Sequence, residues 1–161
     1  MNDNLNNKKE ILPISELVFE HIKSNQADML VAFEKTIDTP RLYSKPLDLK
    51  AAINEINNNI YYFIKYNNEL LGTIAYQIRE DGSYYISNMA IGPKYRGLGV
   101  ARAAMLFILK KSNKSKRVDL VTHPENTKAI SLYKSFGFVI EEQIENYYND
   151  GEPRIVMAKN I

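Results

Sequence analysis

A short segment with two glycines, placed between an apolar strand and an apolar helix, constrains this chain most. Gly97 and Gly99 lie within residues 91–101, where Arg96, Gly99 and Ala101 fit the spacing R-x-x-G-x-A. Glycines let the backbone turn tightly, so that several N–H groups converge on one point. The helix that follows adds the positive end of its dipole to those donors. The segment therefore predicts a diphosphate-binding loop, although a plain strand-to-helix turn could carry the same glycines.

The periodicity of the remaining chain predicts an α+β domain. A meander followed by strand–helix–strand units favours a mixed, mostly antiparallel central sheet flanked by helices on both faces. A first helix, capped by Asn25, is expected to run through Ala27, Leu30, Val31 and Glu34 before Pro40 interrupts it. Further helices are expected at 48–58, 100–111 and 127–135. Strands are expected at 17–22, 61–64, 70–78, 84–91, 118–122, 138–148 and 154–158.

Length and termini predict a simple organisation. The 161 residues fit one domain, which we expect over 14–161, behind a polar, flexible N-terminal extension at 1–13. The longest apolar run, residues 103–109, is far shorter than the ~18 residues that a membrane span needs. The N-terminus lacks an apolar signal core, so we expect a cytoplasmic protein without a membrane partner.

Composition excludes several classes of site. The absence of cysteine removes disulfides, thiolate metal sites and cysteine nucleophiles, and only two histidines argue against a histidine-rich metal centre. A net charge of +2 argues against a general nucleic-acid binder. We therefore expect no metal and no nucleic-acid partner.

Two blocks of sequence, residues 85–101 and 126–138, resemble the GNAT superfamily of acetyl-coenzyme A-dependent N-acetyltransferases. The resemblance extends from about Asn25 to the C-terminus and implies a GNAT-like fold. It implies acetyl-CoA as cosubstrate and a primary amine as acceptor, which attacks directly in a ternary complex. It leaves open whether the protein is a monomer or a homodimer.

The resemblance also implies which residues contact the coenzyme. The main chain of Met89, Ala90 and Ile91 would hold the pantetheine arm and the acetyl carbonyl, as backbone donors do in an oxyanion hole. Asn126 would contact the coenzyme, and it also lies where a helix N-cap is needed. The pyrophosphate would be bound by Arg96, Gly97, Leu98, Gly99, Val100, Ala101 and Arg102.

Tyr133 is the candidate general acid. It lies in the segment 132–138, which matches the family pattern L-Y-x-x-x-G-F, and the resemblance places this tyrosine beside the coenzyme sulfur. A phenol O–H there would give a proton to the departing thiolate. The alternative is a packed aromatic side chain, since the chain has 11 tyrosines.

The general base is harder to assign. Some relatives place glutamate or histidine in the strand before Asn126, where this chain has Val121, which cannot accept a proton. The candidates are His123, Glu125 and Glu141, or a water chain that ends at one of them. His123 has the right intrinsic pKa, although a histidine before a proline is more often structural.

The acceptor is suggested by a segment near the C-terminus. Residues 145–154 resemble the Y-Y-x-D-G-E segment of N-terminal protein acetyltransferases of the ribosomal-protein alanine type. Tyr147 and Tyr148 would then line a slot for a protein or peptide N-terminus, although Asp150 and Gly151 also make a good hairpin turn. Two alternatives remain: a small amine, such as a polyamine or an aminoglycoside, and a non-catalytic acyl-CoA-binding module. An acid-lined acceptor pocket would favour the small amine.

Overall fold

Alternating apolar residues build a sheet of seven strands in the part of the chain that the computed structural model describes, residues 10–37 and 48–161. The strands lie in the order β1-β2-β3-β4-β5-β7-β6, and all pair antiparallel except β4 and β5. Their bounds are β1 Val18–His21, β2 Ile60–Tyr66, β3 Glu69–Ile78, β4 Tyr84–Ile91, β5 Arg117–Thr122, β6 Val139–Ile144 and β7 Arg154–Asn160. The helices are α1 Ala27–Glu34, α2 Leu49–Asn58, α3 Val100–Lys111 and α4 Thr127–Ser135.

Helices cover both faces of this sheet. On one face, Leu30 of α1 and Ala52 of α2 belong to an apolar cluster with Phe63. On the other face, Ile108 of α3 packs in a second cluster with Leu120 of β5. Burial of apolar area on both faces is what holds such a layered domain together. The α+β class and the mostly antiparallel sheet predicted from the sequence are confirmed.

The first helix begins later than predicted. Residues Ser24–Gln26 form a 3₁₀ turn, in which the Gln26 side chain accepts a hydrogen bond of 3.0 Å from the Lys23 N–H. Asn25 is therefore inside this turn rather than at a helix cap, and α1 begins at Ala27. The predicted interruption at Pro40 lies outside the described residues.

The strand predicted at 138–148 is shorter than expected. It ends at Ile144, because Asn146 and Asn149 adopt positive φ angles of 53° and 56° that a strand cannot contain. Tyr147 and Tyr148 consequently lie in the connection between β6 and β7 and not in a strand.

The parallel pair β4–β5 is short, and its early end shapes the molecule. The register runs only from Tyr84–Val118 to Ile86–Leu120. On its other side β4 stays paired with β3, with Ser87 as an extra residue in a β-bulge that increases the local twist. Beyond the bulge, β4 has a partner on one side only. The sheet therefore has an internal gap between β4 and β5.

Part of the predicted N-terminal extension lies against the glycine-containing loop. The Leu12 N–H donates a hydrogen bond of 3.0 Å to the Leu98 carbonyl. Residues 1–9 lie outside the described part of the chain. Within the described ranges, no helix combines the length and apolar character that crossing a membrane requires.

Candidate active site

A groove of about 1890 Å³ passes along the open edge of β4. From the face covered by α1 and α2 it is lined by Glu34 and Tyr61, and from the opposite face by Gly97, Gly99 and Tyr133. The gap between β4 and β5 therefore joins the two faces of the sheet. A ligand on each face could meet the other at this gap.

The β4 main chain presents alternate residues to the gap. The Gly92 N–H donates to a carbonyl of β3 at 2.9 Å, and the Ala90 carbonyl also faces β3, 2.7 Å from where a Cβ on Gly72 would lie. Since backbone groups alternate in direction along a strand, Met89 and Ile91 face the gap. The structure thus brings two of the three predicted strand residues to the groove, whereas Ala90 is buried against β3.

The loop before α3 has the geometry of an anion site. Gly97 and Gly99 have φ angles of 82° and 88°, which residues with a Cβ rarely adopt. The first helical hydrogen bond runs from the Ala103 N–H to the Gly99 carbonyl at 3.0 Å. The amides before it therefore have no acceptor within the helix, and they add to the positive end of its dipole. The predicted loop residues that line the groove are Arg96, Gly97, Gly99, Val100, Ala101 and Arg102.

Leu98 is the loop residue that the groove does not include. Its carbonyl instead accepts the hydrogen bond from Leu12. The Arg96 side chain has a second role, because its Nε donates to the Ile91 carbonyl at 3.2 Å and ties the loop to β4.

Helix α4 supplies the two predicted residues beyond the loop. Tyr133 is buried, lines the groove and packs its ring against Phe138. Asn126 precedes the helix without a side-chain capping bond, and its amide donates instead to the Thr122 hydroxyl at 3.2 Å. Asn126 also lines the groove, so its side chain is turned toward β5 and the gap.

The tentative base, His123, is not among the groove residues. It is 1% exposed, and both ring nitrogens are engaged. Nδ1 accepts the Glu125 N–H at 3.1 Å, and Nε2 lies 3.0 Å from a carboxylate oxygen of Glu152. Because Nδ1 accepts the Glu125 N–H, a neutral ring carries its proton on Nε2. The Nε2–H then donates a hydrogen bond to the Glu152 carboxylate. This geometry assigns His123 to the support of the loop before α4.

The other candidate bases are divided between the groove and the sheet edge. Glu125 and the apolar Val121 line the groove. Glu141 lies outside it on β6, where it forms an ion pair with Arg117 at 2.5 Å. Of the two predicted acceptor tyrosines, Tyr148 lines the groove. Tyr147 does not line it, and its ring packs edge-on against the ring of Tyr148.

Comparison with known proteins identifies the family. The profile of the acetyltransferase (GNAT) family matches residues 28–138, more than half of the chain. The chain belongs to this family. The match confirms the family and the acyltransferase class that the sequence predicted.

Relatives within the family include N-terminal acetyltransferases. The chain is 28% identical over 100 residues to the N-terminal acetyltransferase B complex catalytic subunit NAA20 of Arabidopsis thaliana, a match that covers 58% of each chain. Matches to the curated relatives span 29–58% of their lengths.

Solved structures confirm the fold over nearly the whole chain. The ribosomal-protein-S18-alanine N-acetyltransferase of Escherichia coli has a TM-score of 0.74 at 22% identity and covers 90% of this chain and 94% of its own. Naa50 of Arabidopsis thaliana, in complex with the bisubstrate analogue CoA-Ac-MVNAL, has a TM-score of 0.73 at 22% identity. The match covers 91% of this chain and 99% of the Naa50 chain.

Two tyrosines that meet in the groove extend the acceptor side. Tyr85 of β4 and Tyr148 both line the groove, and they lie close enough for each to affect the pKa of the other. Burial raises the pKa of Tyr85 well above its ordinary range, and the contact with Tyr148 raises it further. Sequence reasoning had assigned no role to Tyr85, because its partner is 63 residues away in a connection without regular structure.

A polar cluster in the groove was also missed by sequence reasoning. We call Glu34, Tyr61 and Asn88 the Glu34 cluster. The Asn88 amide donates to a Glu34 carboxylate oxygen at 3.1 Å and to the Tyr61 oxygen. The three residues come from α1, β2 and β4, so no local motif marks them. Burial raises the pKa of Glu34; the Asn88 bond opposes this shift, and the nearby Glu55 charge adds to it.

This cluster predicts a pH-dependent stability change in Glu34→Gln. A raised pKa means that burial favours the protonated carboxyl, so the ionised form destabilises the folded protein at neutral pH. Glutamine keeps the acceptor for Asn88 without the charge. We expect Glu34→Gln to increase the free energy of unfolding at pH 7. The gain should shrink as the pH falls toward the ordinary range of a carboxyl, about pH 4.

Urea unfolding of both proteins at pH 7 and pH 4 measures this difference. Glu142→Gln, on the exposed edge strand β6, is the matched control and should show no such trend. A variant that is less stable than the parent at pH 7 would contradict the expectation.

Proposed function

We propose that this protein transfers the acetyl group of acetyl-CoA to the free amino group of a protein or peptide N-terminus in a ternary complex. One observation carries the proposal: the groove is continuous across the gap between β4 and β5 and opens on both faces of the sheet. A thioester can enter from the α3 face and an amine from the α1–α2 face. Their reacting atoms then meet beside the open edge of β4.

The residues present fit a coenzyme on the α3 side. The amides of Val100, Ala101 and Arg102 have no helical acceptor, and they would donate to the diphosphate together with the dipole of α3. Met89 and Ile91 face the gap with main-chain groups that can pair with the amides of the pantetheine arm. This arrangement uses backbone donors, whose position is set by the fold and not by flexible side chains.

The chemistry then needs two proton movements besides bond exchange. The amine nitrogen attacks the thioester carbonyl, a C–N bond forms, and the C–S bond breaks. The Met89 N–H would stabilise the negative charge that develops on the carbonyl oxygen. Tyr133 would give its proton to the departing sulfur, and the amine must lose a proton before or during attack.

A peptide N-terminus as acceptor is supported by the relatives and by the groove. NAA20 is named as the catalytic subunit of an N-terminal acetyltransferase, and the neighbouring Naa50 structure contains a peptide-bearing bisubstrate analogue. In this chain Tyr85 and Tyr148 line the corresponding open side of the groove, and their hydroxyls can bond a peptide backbone.

A small polycationic amine is the second candidate, and the charge of the acceptor side favours it. Three carboxylates line this part of the groove, those of Glu34, Glu55 and Glu80. The two arginines there are already paired, Arg79 with an aspartate of β5 at 2.6 Å and Arg154 with Asp150 at 2.8 Å. The unbalanced negative charge would attract a polyamine.

Thiol release from acetyl-CoA decides between the two acceptors. The panel contains peptides with free N-termini, the same peptides with an acetylated N-terminus, spermidine and an aminoglycoside. We expect turnover with the free peptides and none with the blocked ones. Turnover with spermidine alone would replace the peptide proposal by the second candidate, and a lack of turnover with every amine would overturn both.

Tyr133→Phe tests the proposed general acid. Loss of the phenol proton should lower kcat by about 100-fold, within the range of general acid catalysis, because the thiolate must then leave unprotonated. The dissociation constant for coenzyme A, measured by calorimetry, should stay within about twofold of the parent value because the ring remains. Unchanged turnover would remove Tyr133 from the chemistry.

Gly99→Ala tests the diphosphate loop, with Gly82→Ala as its matched control. Both glycines have positive φ, 88° and 79°, so both substitutions should cost about 1–2 kcal/mol of stability. Only Gly99 lines the groove, where a new Cβ would also meet Ile11 at 3.0 Å, whereas a Cβ at Gly82 has open space. Calorimetry should show weaker coenzyme A binding for Gly99→Ala alone. Equal binding by the two variants would contradict the loop assignment.

A further inference from the structure

We propose that the Glu34 carboxylate binds the ammonium group of the acceptor and takes its proton, with Asn88 and Tyr61 as the residues that position it. This inference rests on the proposed acetyl transfer to an amine and names the residue that recognises that amine. It also supplies the proton acceptor that Val121 cannot be.

The position of Glu34 places its carboxylate beside the reacting edge of β4. Glu34 is the last residue of α1, and it accepts a hydrogen bond of 3.1 Å from Asn88. The next residue of β4 is Met89, whose main chain faces the gap. The carboxylate is therefore anchored one residue away from the N–H proposed to hold the acetyl carbonyl.

The groove around this carboxylate is rich in acceptors and poor in donors. Asn59 is 9% exposed, and its amide nitrogen donates to the backbone carbonyl and the carboxylate of Glu55. That leaves the Asn59 carbonyl oxygen buried and without a hydrogen-bond donor. Buried polar atoms are rarely left so, and an unsatisfied one calls for an explanation. An ammonium group, with three donors and no acceptor, has the chemistry that this region lacks.

No cation of the chain fills this role among the described residues. Glu34 faces Asn88 of β4, Tyr61 of β2 and the carboxylate of Glu55 on α2. Within residues 10–37 and 48–161 neither glutamate forms an ion pair with a lysine or an arginine. A cationic ligand would therefore be attracted without having to displace a lysine or an arginine of the described residues.

The proton balance is simple. The ammonium gives one proton to the carboxylate, which leaves a neutral amine and a protonated Glu34. The amine lone pair then forms the C–N bond, and the carboxyl returns its proton to solvent through the open groove. Burial raises the pKa of Glu34. The difference between this pKa and that of an α-amine, ~8, is therefore smaller, and a smaller difference favours the proton transfer. Asn88, which also bonds Tyr61, holds the carboxylate in place, and neither of these two side chains titrates in this range.

The pH profile of kcat/KM for a peptide with a free N-terminus tests the role of Glu34. At pH 7 we expect Glu34→Gln to lower kcat/KM by about 100-fold, a typical size for loss of a general base. The deficit should shrink toward pH 9, because an increasing fraction of the amine is then already neutral. Glu34→Asp should restore part of the rate, and the exposed Glu142→Gln should stay within twofold of the parent.

Three results would overturn the assignment. A Glu34→Gln rate within twofold of the parent would show that the carboxylate has no role. A deficit that is the same at every pH would indicate a purely structural effect. A pH-dependent deficit in Glu125→Gln, with none in Glu34→Gln, would move the role to Glu125, which also lines the groove.

Binding measurements separate this inference from the proposed function. Acetyl-CoA binding and parent turnover report on the transferase activity, and Glu34→Gln should bind acetyl-CoA like the parent. Calorimetry of the peptide with the CoA-saturated protein reports on amine recognition even without turnover. We expect at least about tenfold weaker binding when either Glu34 is replaced or the peptide N-terminus is acetylated, as for a lost charge-assisted hydrogen bond. If the parent and Glu34→Gln bind the free peptide equally, and the parent binds the free and the acetylated peptide equally, Glu34 does not recognise the ammonium group.

Discussion

The early separation of β4 from β5 is the constraint on which the rest of the site depends. Three residue pairs join the strands, and the gap begins where Ser87 adds an extra residue to β4. Continued pairing would close the sheet and satisfy every backbone group of β4. The separation instead leaves the main chain of Met89 and the N–H of Ile91 available to a ligand. It also joins the two faces of the sheet, which a complete sheet would keep apart.

An ion pair between a buried aspartate and a half-exposed arginine lies at the point where β4 and β5 still pair. Asp119 of β5 is 4% exposed and bonds Arg79 through both carboxylate oxygens, at 2.6 and 2.9 Å. Arg117 adds a third bond at 3.1 Å. Because Arg79 follows β3, this pair joins the end of β3 to β5 across the intervening β4, just before the gap. Removing the arginine would leave the buried Asp119 charge uncompensated, so this end of the gap is held firmly.

Proton handling in the groove follows from burial and contact across the sheet. Glu34, Tyr61 and Tyr85 line the acceptor side, and packing against other elements withdraws each of them from water in part or in full, which raises its pKa. His123, which has the most suitable intrinsic pKa, is fully occupied by a backbone amide and by Glu152. Intrinsic chemistry alone does not show which acid–base group is accessible, because accessibility is a property of the folded protein.

The sequence by itself determined the element order, the two apolar faces and the glycine loop before α3. These follow from local periodicity and from the φ angles that only glycine adopts easily at positions 97 and 99. Only the tertiary structure decided which backbone groups of β4 face the gap. The backbone groups of Ala90 point toward β3 and those of Met89 point away from it, and the local sequence does not show which residue faces which side. It also decided that Glu34 meets Asn88 across 54 residues. Such contacts depend on how α1 packs on the sheet, and the local sequence does not predict that packing.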